Sequence, residues 1–166
     1  SFLNAVEKYP PAETATAYCK SLSLNRLLLL LWLAIVILAA HSLSAATLRW
    51  TGGHPTGSDW SQVANWDTGT APMDGDTLVF PAGAARLVNN NDIAGLRLTA
   101  IRFAGASGGY TLNRDAVVVT TSVTAANSAD ANTVSLARIT LAADLPFTVA
   151  QNGATLNISS EVRLNG

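Results

Sequence analysis

From Thr47 onward this 166-residue chain has no stretch able to form an amphipathic helix, and that absence constrains its fold more than any other feature. A surface helix needs apolar residues at i, i+3, i+4 and i+7 with few glycines or β-branched side chains among them. Here all 12 glycines fall after Thr47, and short β-rich runs alternate with Gly, Asn, Asp and Ser punctuation. Strands are predicted near Leu48–Thr51, Thr77–Phe80, Ala100–Phe103, Tyr110–Leu112, Ala116–Thr121, Thr133–Leu136, Arg138–Leu141, Phe147–Val149, Thr155–Ile158 and Glu161–Leu164. In several of them apolar residues alternate, as at Ile101 and Phe103 or Val162 and Leu164, which turns one row of side chains inward and the other outward. The class is all-β.

Strand density of this kind fits either a parallel β-helix or an antiparallel sandwich. The 67 residues from Ala100 to Gly166 suffice for about three coils of roughly 20–25 residues each. Tight-hairpin dipeptides are sparse between the runs, at Asp74-Gly75 and Asn152-Gly153, and this favours stacked coils over hairpins. The Asn89-Asn90-Asn91-Asp92 run could supply amides to a ladder between coils, or form a solvated polar loop.

Upstream of this region the chemistry changes. Leu27 to Ala40 is an unbroken run of 14 apolar residues, preceded by Lys20 and Arg26 and followed by Ser42, Ser44, Ala45 and Ala46. Basic flank, apolar stretch and small residues together make the pattern of a secretory signal peptide, with cleavage expected after Ala46 or after Ser44. A spanning helix usually needs about 20 apolar residues. An uncleaved signal anchor over residues 27–43 is the competing reading, and a buried helix a third. Ser1 to Ser23 is a long lead for such a segment, and a true start near Leu22 or Leu24 would give a compact leader. Export is therefore expected, with the product secreted or held at the outer cell surface, or tethered to the membrane through residues 27–43.

Three tryptophans follow the apolar segment closely. Trp50-Thr51-Gly52-Gly53, Trp60-Ser61, Asn65-Trp66, Ala71-Pro72 and Gly75-Asp76-Thr77-Leu78-Val79-Phe80 precede repeated elements such as Ile101-Arg102-Phe103, Tyr110-Thr111-Leu112, Ile139-Thr140-Leu141 and Phe147-Thr148-Val149. This series, from about Arg49 to Gly166, resembles the start of an autotransporter-associated β-strand repeat protein. The resemblance implies an exported bacterial right-handed parallel β-helix, with an N-terminal apolar signal or anchor helix ahead of it. Four parts are expected: a poorly structured leader over 1–26, the signal or anchor over 27–46, a Trp/Gly/Asp-rich opening and cap over 47–99, and β-strand repeats over 100–166. The repeats stop mid-repeat, with no translocating barrel, so a fragment of a larger protein is expected.

Candidate chemistry is sparse. Trp50, Trp60 and Trp66 could form an aromatic platform for sugar rings; the plainer reading is a plug for the end of the core, with each indole N–H finding a partner. Asp74 and Asp76 could be paired carboxylates or calcium ligands, but glycoside chemistry needs two carboxyl groups held apart in a cleft, and turn capping suits Asp-Gly-Asp better. The third ligand and following Gly of a calcium loop are missing. His54 is the sole histidine after the apolar segment and Cys19 precedes it, so neither a His/Cys metal site nor a disulfide is expected there. No catalytic residue, cofactor or metal is expected, and a net charge of −1 gives no footprint for nucleic acid. The expected function is a non-enzymatic structural or adhesion-type module contacting an extracellular glycan or matrix, with membrane contact only through the apolar segment. A carbohydrate-binding module and the N-terminal part of a polysaccharide-degrading β-helix enzyme are the alternatives.

Overall fold

The computed structural model describes residues 45–164. The expected leader over 1–26 and the apolar segment through Ser44 lie outside the described residues.

The described chain forms eleven strands and a single 3-10 turn at Val63–Asn65. They are β1 (Thr47–Arg49), β2 (Thr77–Pro81), β3 (Val88–Asn91), β4 (Arg97–Gly105), β5 (Thr111–Arg114), β6 (Val117–Asn127), β7 (Ala131–Leu136), β8 (Arg138–Leu141), β9 (Phe147–Val149), β10 (Thr155–Ile158) and β11 (Glu161–Leu164). Every strand pairing is parallel. One sheet runs β1-β2-β4-β6-β8-β11, with β9 also on β6, and the other runs β3-β5-β7-β10. Strands that alternate between two sheets and always pair parallel describe a solenoid, here of about four turns. The antiparallel sandwich is excluded.

Register shows the step directly. Thr77 pairs with Ala100 and Ala100 with Ser122, while Val88 pairs with Thr111 and Thr111 with Thr133, so one coil takes 22 or 23 residues. The later pair Thr155 and Ala131 is 24 apart. The 22- or 23-residue step runs from Thr77, the first residue of β2.

Stacking at constant register puts like positions above one another. Leu48, Leu78, Ile101 and Val123 form one inward file, and Phe80, Phe103 and Ala125 another. From the second sheet Leu112 and Val134 complete the same buried cluster. Each fully buried side chain of this size contributes roughly 1.5–3 kcal/mol. Within β4 alternation breaks between Leu98 and Ile101, both buried. At that place the pairing with β6 slips by a residue, Leu98 opposite Val119 but Ala100 opposite Ser122. The extra residue is a bulge, which bends the paired strands while keeping the apolar files in line. On either side of it β6 has different partners, Val117–Val119 before the bulge pairing with β8 and Val123–Ala125 after it with β9.

Of the asparagines expected in a ladder or a solvated loop, Asn90 lies opposite Asn113 but donates its Nδ2 to Asp59 Oδ1, and its two neighbours do neither. Asn89 and Asn91 are buried in β3 and lie opposite Leu112 and Arg114. Asn91 Nδ2 donates to the Asp115 and Ala116 carbonyls, and its Oδ1 accepts from Ile93 N–H, so the amide ties a corner to the next coil. At another corner Asn127 Nδ2 donates to Ala129 and Asp130 carbonyls, while Asn132 Nδ2 donates to Asn127 Oδ1. Buried corner backbone must find partners, and these amides supply them.

Candidate functional site

Among the described residues, polar and aromatic side chains gather most densely at the N-terminal end of the solenoid, where residues 50–66 fold over the first coil. Trp50 and Trp66 meet in an antiparallel bridge, and Asp59 lies parallel to Asn90 of β3. Trp60 N–H donates to the Asn90 carbonyl and Asn90 N–H to that of Ser58, so this segment adds a rung beyond β3. Both sheets are thus continued at this edge, one by β1 and the other by residues 58–60 of the loop.

Inside it the structure brings the three tryptophans together. Trp50 and Trp66 meet edge to face with ring centroids 5.1 Å apart, and Trp60 and Trp66 do so at 6.2 Å. Phe80 touches all three at 6.0–6.3 Å and stacks on Phe103 at 5.5 Å, carrying the aromatic column into the next coil. Such pairs are worth about 0.5–1.5 kcal/mol each beyond their buried area. Trp50 and Trp60 are 0% exposed and Trp66 3%. Each indole N–H is bonded internally: Trp50 to Arg86 O at 2.7 Å, Trp60 to Asn89 Oδ1 at 2.7 Å, Trp66 to Trp60 O at 2.8 Å. The rings considered above as glycan contacts present no face to a sugar; they fill the end of the core.

Sequence reasoning missed the polar frame around them. The Arg86 guanidinium donates to the carbonyls of Gly52, His54 and Pro55, clasping a loop more than 30 residues earlier. Gly52 has φ +64 and no room for a side chain, since an added Cβ would lie 2.7 Å from Arg86 N. Asn65 is fully buried; its Nδ2 reaches Gly57 O, Asp59 O and Gln62 Oε1, and its Oδ1 accepts from His54 N–H. His54 Nδ1 accepts from Gly57 N–H at 2.9 Å, so this histidine holds a turn. A lone Arg, Asn or His in a loop carries no sequence signal when its partners are distant backbone groups. Asn89 Nδ2 is buried without a partner, because Trp60 fixes which end of that amide is the acceptor.

The two aspartates of the Asp-Gly-Asp turn also bind backbone. Asp74 Oδ1 accepts from Arg97 N–H at 2.9 Å. Asp76, 3% exposed, accepts from Ala46 N–H on Oδ1 and from Met73 N–H on Oδ2, both at 2.8 Å. Both act as turn caps facing backbone donors. On the far side of Phe80, Tyr110 packs with ring centroids 5.3 Å apart and donates its hydroxyl to Pro81 O. Burial pushes its phenol up to about 12, against a smaller opposing pull from the Arg49 charge.

Among the described residues no three His, Cys, Asp or Glu side chains gather as a metal site would require, and no helix is long and apolar enough to cross a membrane. The one ion pair reaching the cap, Asp59 with Arg114 at 3.5 Å, is largely solvated and worth about 0–1 kcal/mol. Chemically, this arrangement can close a core and hold a loop. No family model, curated protein or solved structure matches the chain.

Proposed function

We propose that this chain is an exported, non-enzymatic structural module of the autotransporter-associated β-strand repeat kind, which displays a stiff, repetitive surface for contact with an extracellular glycan or matrix. The observation that supports this most is the register of the outward positions. Thr111, Thr133 and Asn157 follow one another across the second sheet, and Asn90, Asn113 and Ser135 run beside them. Parallel strands lie about 4.7–4.9 Å apart, so these two files repeat hydroxyl and amide groups at that spacing. A right-handed coil accords with the sense that parallel crossovers nearly always take. Because the three indoles are buried, contact with a glycan falls to the outward files and away from the tryptophans.

The test is adhesion by cells that export the chain. They should hold to an immobilised matrix or glycan better than cells lacking it, and better than cells displaying Thr111→Lys/Thr133→Lys, which keeps the core intact. Equal adhesion by all three, with the chain demonstrably on the surface, would end the adhesion reading.

A further inference from the structure

Two bonds, Ser44–Ala45 and Ala46–Thr47, both satisfy the small-residue rule for removal of the apolar segment. The folded domain does not treat them equally. Ala46 is already part of it: its N–H is held by the buried Asp76 carboxylate, and its carbonyl accepts from Thr77 N–H at 2.8 Å. Thr47 then begins β1, in register with Thr77. A Cβ added at Gly75 would stand 3.6 Å from Ala45 Cβ, so the chain passes directly over this turn before entering the sheet.

We infer that the leader is removed between Ser44 and Ala45, and that Asp76 acts as the clasp for the new N-terminus. This rests on the export reading above. Backbone that is hydrogen-bonded into a sheet resists being drawn extended into a protease cleft. A cut at Ala46–Thr47 would also remove both Ala46 bonds and leave one oxygen of a buried carboxylate without its donor. A cut at Ser44–Ala45 leaves every one of these contacts in place. It also keeps Asp76 Oδ1 facing a backbone N–H one residue inside the terminus, which tethers a chain end that would otherwise fray.

The experiment is N-terminal sequencing and intact mass of the chain recovered from an exporting bacterial host. The expected product starts at Ala45, and Ser42→Arg, which spoils only the −3 position of that cut, should abolish the Ala45 start. A wild-type product starting at Thr47 overturns the inference while leaving export standing. A chain outside the cytoplasm that keeps residues 27–44 overturns the inference in favour of an anchor. A chain retained in the cytoplasm with its leader overturns the export reading as well.

Discussion

The first and the last described coils of this solenoid carry the same kind of inward side chain and treat it in opposite ways. At the N-terminal end the files terminate under Trp50, Trp60 and Trp66, and nothing large in them is more than 3% exposed. In the last described coil the same files are exposed. Phe80, Phe103 and Ala125 are 0% exposed, but Val149, next in that file, is 49%. Val119 and Leu141 are buried while Leu164 above them is 63% exposed. Inward geometry alone therefore buries nothing in a stacked fold; burial requires a neighbour on both sides. The tryptophan loop supplies that neighbour at one end, through three aromatic rings and the hydrogen bonds that hold the loop over them.

This contrast can be broken most forcefully at its centre. Trp60→Ala should destabilise the domain by about 3–5 kcal/mol, through lost burial and the cavity left behind. It should show as a large drop in the denaturation midpoint at an unchanged slope. A loss below about 1 kcal/mol would mean that the loop does not seal the core. Alkaline pH offers the next largest effect. The folded Tyr110 phenol, near 12, lies above the usual 10, so between those values the unfolded chain releases a proton that the folded chain keeps. Stability contributed by this group is whole below pH 10 and falls by about 1.4 kcal/mol per pH unit toward pH 12. In Tyr110→Phe that descent should vanish from a pH series of melting curves.

Smaller effects sharpen the comparison. Asn89→Ala removes the acceptor of the buried Trp60 indole and should cost about 1–3 kcal/mol. Its Nδ2 is already unpartnered, which places the expected value toward the lower part of that range. A double-mutant cycle with Trp60→Phe should recover most of it, since the phenyl ring has no N–H left to satisfy. Leu164→Ala in the open coil should shift the unfolding free energy by less than about 0.5 kcal/mol. If its cost approached that of Trp60→Ala, the last coil would be covered in solution and the two ends would not differ.

Much of the strand content was legible because local alternation marks it. The strands Arg138–Leu141, Phe147–Val149, Thr155–Ile158 and Glu161–Leu164 agree with their predicted bounds. Strand β3 was not legible: Val88-Asn89-Asn90-Asn91 has the composition of a turn, and it is a strand because the coils on either side pair with it. The length of β6 was hidden similarly. Its Ser122–Asn127 half is poor in large apolar residues and is ordered by pairing with β4 and β9. At the cap, the aromatic plug was foreseeable as one of two readings of the tryptophans. The Arg86 clasp and the Asn65 and Asn89 amides were not, since each acts on groups brought near only by coiling.

The residues by themselves determined an all-β chain of short alternating strands, a length that suffices for coils of roughly 20–25 residues, and tryptophans concentrated ahead of the repeat. These properties are local, set by backbone preference and by the two-residue period of side chains along a strand. Tertiary structure alone decided that the strands β1 to β11 all pair in parallel, that the indoles point into the core, and that Asp76 holds the backbone of Ala46. Those outcomes depend on contacts between residues about 20–35 apart in sequence, whose free energy exists only once a neighbouring coil is in place.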